Sequence, residues 1–360
     1  MSLLSVGTRV GDRYSVEAEI GRGGMQEVYR AYDETLQRVV ALKVPQDARV
    51  ARKFRESAVF AAKVNHPNVA KTLDYFEENN GAFYLVEELI VGENLREISQ
   101  RFELLDPHTA IYVLHHLARG VAASHRVDVV HRDLKPSNIM VLGGLQFNGL
   151  KITDFGIAKM AEHELHQAVS GGEDATRSSK TVMNALAYLA PEVIDSPRVP
   201  SKPADVWAIA AIAWELLTGV PPFGAGLKAI RAVGAGNKPV LPAAIASHAQ
   251  FGGLACLLHN LVLSCLESNP ANRPTAMELS LKCDEFCYLP PVRELGEVTN
   301  YPQKTFGFIE SDAGETVFFH TKNLIGAVGL PPTGSRVWFT KFEGSPRPRA
   351  IPVIPFKSEK

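Results

Sequence analysis

The sequence predicts an α+β protein with a small β-rich lobe first, a larger α-rich lobe next and a short all-β unit at the end. Alternating apolar residues over 16–20 begin a series of strand patterns that continues to residues 83–86. Helical spacing takes over from Asp106-Pro107, where an Asp N-cap precedes a Pro at the first helical position. After Leu289-Pro290-Pro291, short strand-like runs alternate with Gly and Pro turns.

The β-rich lobe is predicted to contain five strands and one helix. The strand patterns lie near residues 16–20, 28–29, 39–44, 73 and 83–86, and the helical pattern covers residues 52–64. Asn79-Asn80-Gly81 joins the last two strands and is a strong hairpin signal. In the α-rich lobe, residues 201–219 are apolar nearly all round, which predicts a helix buried in the middle of that lobe.

Length, composition and charge exclude several classes of protein. A chain of 360 residues exceeds one ordinary domain, so we expect two or three. Hydrophobic residues at 46% and charged residues at 21% exclude wholesale disorder and a collagen-like fibre. With 38 Lys and Arg against 39 Asp and Glu, any site for a polyanion must be local. The polar start and the short longest apolar run, residues 206–214, predict a soluble cytoplasmic protein without a membrane partner.

A glycine-rich run and a lysine together indicate phosphate binding. Residues 20–28 read Ile-Gly-Arg-Gly-Gly-Met-Gln-Glu-Val, and glycines let backbone amides approach a triphosphate closely. Such a run alone is more often a simple turn, and Gln26 stands at the third glycine of the GxGxxG pattern. Twenty residues after Gly23, however, Lys43 on the third strand places an ammonium group where it can reach phosphates under the loop.

Three further motifs follow in a fixed order: residues 131–138 (HRDLKPSN), Asp154-Phe155-Gly156 and Ala190-Pro191-Glu192. With these motifs, residues 13–288 resemble a eukaryotic-type Ser/Thr protein kinase of the bacterial branch. The resemblance implies a two-lobed protein kinase fold, with an N-lobe over 13–88 and a C-lobe over 89–288. It also implies ATP and Mg²⁺ as cofactors, protein substrates, and transfer of the γ-phosphate to Ser or Thr hydroxyls.

The same resemblance implies roles for individual residues. Asp133 would accept and orient the substrate hydroxyl, Lys135 would contact the γ-phosphate, and Asn138 and Asp154 would hold Mg²⁺ through oxygen atoms. The implied nucleotide site comprises loop, sheet, helix and hinge residues: Ile20, Gly21, Gly23, Val28, Ala41, Lys43, Glu56, Glu88, Ile90 and Glu93.

Several of these assignments have a simpler alternative. Glu56 is expected to pair with Lys43, but it is also consistent with a solvated helix charge. Backbone groups of Glu88 and Ile90 are expected to bind adenine. Glu93 is expected to accept from the ribose hydroxyls unless it is an ordinary surface glutamate. Glu87 falls at the back of the adenine pocket, a position that is usually apolar, so its carboxylate would need a partner or a raised pKa.

Regulation and turnover raise further hypotheses. Thr176, Ser178, Ser179 and Thr181 lie in a polar segment before the Ala-Pro-Glu motif, and Arg132 could pair with a phosphate on that segment. We therefore expect autophosphorylation there; the alternative is a plain disordered loop. Ala185 replaces a threonine that the family carries, which would slow turnover without abolishing it. A pseudokinase that binds nucleotide and partners without turnover is the alternative for the whole chain.

The last unit carries aromatic residues at strand spacing. Phe306 and Phe308 share one face of a strand, as do Phe318 and His320 on the next, which forms a platform for unstacked bases unless these side chains are core residues. Residues 296–355 resemble a cold-shock domain, a five-stranded OB-type barrel, joined by a linker over 289–295. The resemblance implies binding of single-stranded RNA or DNA; the barrel could instead bind a protein partner.

Overall fold

The computed structural model describes residues 3–22, 26–46, 58–59, 61–79, 81–155, 185–196, 199, 201–326 and 329–357. These residues form a β-rich N-terminal sheet, a helical lobe and a closed five-stranded barrel, which confirms the predicted fold class. In this part of the chain, no helix is both long enough and apolar enough to cross a lipid bilayer.

The N-terminal lobe contains one sheet of six strands: β1 (Arg9–Val10), β2 (Tyr14–Arg22), β3 (Gln26–Asp33), β4 (Arg38–Pro45), β5 (Thr72–Glu77) and β6 (Phe83–Glu88). Their order is β1-β2-β3-β4-β6-β5, and all neighbours are antiparallel. The five predicted strands are confirmed. The short strand β1 was not predicted, because two residues are too few to show alternation. The helix predicted over 52–64 lies mainly outside the described residues.

The two faces of this sheet have different uses. Val40 and Leu42 of β4 pack with Val86 of β6 in the core of the lobe. Because successive side chains of a strand point to opposite faces, Lys43 and Glu87 project from the other face. The alternation that builds the core therefore also places a lysine and a glutamate together on the second face.

The helical lobe contains α1 (Leu95–Gln100), α2 (Pro107–Arg126), α3 (Pro191–Asp195), α4 (Lys202–Thr218), α5 (Leu227–Gly234), α6 (Ala243–Ala246), α7 (Gly252–Cys265) and α8 (Ala276–Asp284). Helix α4 is buried on nearly every side, as predicted. It ends at Gly219, whose φ is +79°, and a Cβ there would lie 2.0 Å from the carbonyl oxygen of Glu103. Only glycine fits this close approach without a shift of the backbone.

A small antiparallel sheet brings two motif segments together. Its strands are β7 (Gly92–Asn94), β8 (Ile139–Leu142) and β9 (Gly149–Ile152), in the order β7-β8-β9. Ile139 of β8 lies opposite Ile152 of β9. Asn138 immediately precedes the first of these residues, and Asp154 follows two residues after the second. The hairpin thus carries Asn138 and Asp154 to one end.

The last unit is a barrel of five strands: β10 (Glu294–Gln303), β11 (Phe306–Ser311), β12 (Thr316–His320), β13 (Arg336–Phe342) and β14 (Arg349–Pro355). The order β10-β11-β12-β14-β13 closes through pairing of β13 with β10, and β12 runs parallel to β14. Buried aliphatic and aromatic residues fill the interior: Val298, Ile309, Val317, Phe319, Val337, Phe339, Ala350 and Val353.

Trp338 joins the barrel to the helical lobe. Its neighbours on β13, Val337 and Phe339, fill the barrel, so Trp338 points outward. The indole ring stacks on Phe102, with ring centroids 5.2 Å apart, and its Nε1 donates to the carbonyl oxygen of Leu145 at 2.9 Å. Because Trp338 is fully buried, the outer face of β13 packs into the core of the helical lobe, while the interior of the barrel forms a separate cluster.

A buried ion pair reinforces the same junction. Arg293, in the segment expected to be a linker, donates through Nη2 to Oδ2 of Asp106 at 2.5 Å and through Nη1 to Thr340 at 2.7 Å. Asp106 is also the N-cap of α2, where its side chain accepts from the amides of His108 and Thr109. Both charged side chains are almost fully buried. Each charge therefore depends on the other, because a buried ion without its partner is strongly unfavourable.

We predict that Arg293→Met destabilises the full chain by about 3 kcal/mol or more, because Asp106 keeps a buried charge without its cation. Urea unfolding followed by far-UV circular dichroism measures the effect. Adding Asp106→Asn to this variant should recover part of the loss. Lys341→Met, which removes a cation from an ion pair on the barrel surface, is the control and should leave the unfolding midpoint unchanged. Equal midpoints for the Arg293 variant and the unaltered chain would contradict the prediction.

Candidate active site

A buried carboxylate fixes the backbone between α2 and β8. Asp205 of α4 accepts from the amide of His131 at 2.8 Å and from the amide of Arg132 at 2.9 Å. The ring of His125 contacts the same carboxylate at 2.9 Å. Arg132 has a φ of +70°, an uncommon conformation for a non-glycine residue, and the contacts of Asp205 hold it there. These bonds brace the loop that carries Asp133.

Asp133 lies next to the two polar residues that follow it in the motif. Its Oδ2 accepts from Nζ of Lys135 at 2.7 Å and from Nδ2 of Asn138 at 3.1 Å. The amide Nδ2 of Asn138 also donates to the backbone carbonyl of Asp133 at 2.8 Å, which orients the side chain. With Nδ2 used in this way, the remaining oxygen of Asn138 is the atom suited to a metal ion.

Asp154 connects this loop to the N-terminal sheet. Its Oδ1 accepts from Nζ of Lys43 at 2.9 Å and from Nε2 of Gln26 at 2.8 Å. The preceding residue, Thr153, donates its amide to the carbonyl oxygen of Asn138 at 2.9 Å. A continuous series of contacts therefore runs from the sheet to Asp133. It joins the residues that the resemblance singled out for catalysis and metal binding: Lys43, Asp133, Lys135, Asn138 and Asp154.

Lys43 lies between two carboxylates. Besides Asp154, Oε2 of Glu87 lies 2.6 Å from its Nζ, and both Lys43 and Glu87 are buried. Burial alone would lower the pKa of Lys43, but the charges of Asp154 and Glu87 outweigh it, and the pKa is raised. Burial raises the pKa of Glu87. Glu87 was expected to need a partner or a raised pKa, and it has both. Glu56, the expected partner of Lys43, lies outside the described residues.

Glu88 and Glu93, which are expected to contact adenine and ribose, form hydrogen bonds with neighbouring residues. The amide of Glu88 donates to the carbonyl oxygen of Lys71 at 3.0 Å, and its carboxylate accepts from Lys151 at 2.6 Å. Glu93 accepts from both terminal nitrogens of Arg101. A ribose hydroxyl would therefore share the Glu93 carboxylate with a guanidinium group. Contacts of Glu88, Ile90 and Glu93 with a nucleotide stay predictions.

The remaining nucleotide residues lie on the sheet. Gly21 of β2 is opposite Val28 of β3, and Ala41 of β4 is opposite Glu87 of β6. Ile20 is half exposed beside Gly21. These positions place the four residues Ile20, Gly21, Val28 and Ala41 on the strands around Lys43. Gly23 lies outside the described residues.

The segment before the Ala-Pro-Glu motif is described only in part. The predicted phosphorylation positions Thr176, Ser178, Ser179 and Thr181 lie outside the described residues. Ala185 precedes a short 3₁₀ turn, Leu186–Tyr188. Beyond it, both carboxylate oxygens of Glu192 accept from Arg273, at 2.7 and 2.8 Å. This bidentate pair ties the Ala-Pro-Glu motif to the segment before α8.

The aromatic residues of the barrel form one surface. Phe306 lies opposite His320, and Phe308 lies opposite Phe318, on adjacent strands β11 and β12. All four are partly exposed, whereas the intervening Phe319 is fully buried in the barrel. The centroid of the Phe318 ring is 5.5 Å from that of Phe306 and 6.0 Å from that of Phe308. The four predicted side chains are therefore neighbours on the outside of the barrel.

Sequence reasoning missed three contacts of these sites. Gln26 was noted only as a departure from the glycine pattern, but its side chain binds Asp154. Glu87 was expected to need a partner, but Lys43 was not identified as that partner. The guanidinium carbon of Arg347 lies 5.4 Å from the ring centroid of Phe308. The basic residues Arg347, just before β14, and Arg349, its first residue, are the one signal for this last contact.

We predict that Lys43→Met destabilises the chain by about 3–5 kcal/mol at pH 8, because the buried Glu87 and the partly buried Asp154 lose their shared cation. Without the cation, the pKa values of Asp154 and Glu87 rise in the folded state. The variant therefore loses stability as the pH increases through these raised pKa values. The destabilisation relative to the unaltered chain is smaller at pH 5, where proton uptake neutralises the carboxylates. Urea unfolding at both pH values measures the difference. The control Lys71→Met removes an exposed cation of the same lobe. A Lys43 effect that did not depend on pH would count against this assignment.

Comparison with known proteins agrees with this geometry. Residues 14–282 match the family model described as the protein kinase domain. The chain is 31% identical over 281 residues to the serine/threonine-protein kinase pkn3 of Myxococcus xanthus, a match that covers 76% of this chain and 49% of the relative. It is 32% identical over 286 residues to the serine/threonine-protein kinase PknB of Mycobacterium tuberculosis, a match that covers 77% of this chain and 43% of PknB. The chain is also 33% identical over 225 residues to the serine/threonine-protein kinase PrkC of Bacillus subtilis, a match that covers 61% of this chain and 32% of PrkC.

The chain spans half or less of the length of these relatives. The family match nevertheless covers most of this chain and includes every residue that lines the cleft. On this match and the arrangement of the cleft, the chain belongs to the protein kinase domain family.

Proposed function

We propose that the chain is an ATP-dependent protein kinase that transfers the γ-phosphate of ATP to Ser or Thr hydroxyls of proteins. The observation that carries the proposal is the convergence of Lys43, Asp154, Asn138 and Asp133 in one continuous set of contacts. Phosphoryl transfer depends mainly on positioning and charge neutralisation, and this set supplies a cation, oxygen ligands and a proton acceptor. The printed names of the relatives support the same reaction class.

The residue types fit Mg²⁺ as well as ATP. Asp154 and Asn138 would hold the ion, which supplies neutralisation of the phosphate oxygens when it is bound. Within the described residues, no group of three or more His, Cys, Asp or Glu side chains could hold a metal by itself. This is compatible with Mg²⁺, which usually takes one or two protein ligands together with phosphate oxygens and water.

Asp133 and Lys135 have different roles in the transfer step. Asp133 accepts the proton of the substrate hydroxyl and orients the oxygen for attack. Lys135, at 2.7 Å from that carboxylate, provides positive charge next to the transferred group. A lysine at this position is the pattern of Ser/Thr kinases, which favours hydroxyls of Ser and Thr as acceptors. Lys43, Asp133, Asn138 and Asp154 are all present, which argues against the pseudokinase alternative.

Autophosphorylation belongs to the same proposal. The candidate acceptors are Thr176, Ser178, Ser179 and Thr181, and a phosphate on one of them would attract Arg132. Mass mapping after incubation with ATP and Mg²⁺ tests this part. Absence of phosphate from residues 170–185 would count against it.

We predict that Asp133→Asn lowers the kcat for a generic protein substrate by about 10²–10⁴-fold, because the proton acceptor is lost. Transfer of radiolabelled phosphate from ATP measures the rate. Asp128→Asn is the matched control, since Asp128 is exposed on the same loop and has a φ of +57°, which asparagine tolerates. The control should keep the full rate. Undiminished transfer by the Asp133 variant would remove its assigned role.

A second function is favoured by the aromatic surface. We propose that Phe306, Phe308, Phe318 and His320 stack the bases of single-stranded RNA or DNA. The surface lies on the second and third strands of the barrel, and Arg347 lies in the connection between the fourth and fifth. OB-type barrels bind oligonucleotides with these strands and this connection. A protein partner is the alternative occupant.

We predict that Phe308→Ala weakens binding of a fluorescent single-stranded oligonucleotide by about 1–3 kcal/mol, because one stacked base loses its platform. Fluorescence anisotropy measures the affinity, and its change between two salt concentrations reports how much of the binding free energy comes from contacts with the phosphates. Leu281→Ala removes an exposed apolar side chain from α8 and serves as the control. Equal affinity of the Phe308 variant and the unaltered chain would eliminate the base-stacking role.

A further inference from the structure

Glu87 makes a contact that neither its strand nor its lobe requires. Its carboxylate lies 2.6 Å from Nζ of Lys43, and the glutamate is only 4% exposed. An apolar side chain at this position would fill the same space without any cost of removing a charge from water. Replacing a buried ion pair by apolar residues is often neutral or stabilising. The carboxylate therefore needs an explanation other than stability.

The register of the sheet explains how Glu87 reaches the lysine. Ala41 lies opposite Glu87, and Lys43 lies opposite Leu85, so Lys43 and Glu87 are diagonal neighbours on one face of β4 and β6. Long side chains at diagonal positions of an antiparallel pair are within reach of each other. The contact is thus built from two adjacent strands of one sheet and needs no movement between lobes.

The second carboxylate on Lys43 has a different origin. Asp154 belongs to the segment after β9, and it also accepts from Gln26. In the proposed function, the oxygens of Asp154 serve Mg²⁺, so this carboxylate has two competing uses. Glu87 has no role at the metal, and its distance to Lys43 is the shorter of the two.

We propose that Glu87 is a positioning residue for Lys43: it directs the ammonium group at the nucleotide phosphates when the oxygens of Asp154 bind the metal. This role rests on the proposed nucleotide-dependent function. Glu87 acts from within the sheet, and it touches neither the transferred phosphate nor the acceptor. Its effect must therefore pass through Lys43.

Fluorescence titration of the full chain with mant-ATP and Mg²⁺ tests this role without relying on turnover. Glu87→Gln keeps the shape of the side chain and removes its charge, and we expect it to weaken nucleotide binding about tenfold. Glu77→Gln removes the same charge from an exposed position of β5 and should leave the affinity unchanged. Glu87→Met is a second variant with an apolar side chain, and thermal unfolding reports whether each variant is folded.

A double-mutant cycle with Lys43→Met separates positioning from general structure. If Glu87 acts through Lys43, Glu87→Gln has no further effect on mant-ATP affinity in the Lys43→Met chain. An equal loss in both backgrounds, or a lower melting temperature with unchanged affinity, would overturn the role. Failure of the unaltered chain to bind mant-ATP would instead refute the proposed function itself. Normal binding by the unaltered chain and both Glu87 variants would refute only the role of Glu87.

Discussion

The ion pair between Lys43 and Asp154 is the interaction on which the cleft depends, because it joins the sheet to the helical lobe. The buried ammonium group of Lys43 needs carboxylate partners, and the partly buried Asp154 supplies one of them from the helical lobe. The bond also orients the segment after β9, which in turn contacts Asn138 and Asp133. This one contact thus brings together residues that are far apart along the chain.

Much of the cleft follows from the sequence, because its residues lie in short motifs whose order and spacing constrain the fold. The strand around Lys43 and the buried helix with Asp205 were predicted from periodicity, since a pattern of apolar residues marks each of them. The pairing of Lys43 with Glu87 was not predicted. It depends on the register between β4 and β6, and no local pattern encodes the register of two strands that are distant in sequence.

The junction of barrel and helical lobe was hidden for a similar reason. Pro290 and Pro291 indicate a break between units, and by composition Arg293 resembles an ordinary linker residue. Its burial depends on Asp106, which lies far away in sequence and shows only its local role as a helix cap. Trp338 lies on β13, and the alternation of this strand does not reveal that its outer face meets Phe102.

The buried contact of Trp338 with the helical lobe has a consequence for synthesis of the chain on the ribosome. Domains usually fold in order from the N-terminus as they emerge. Here the helical lobe exposes the ring of Phe102 and the carboxylate of Asp106 until β10 and β13 have left the exit tunnel. The helical lobe therefore completes its packing only after the barrel segment has been synthesised and covers Phe102 and Asp106.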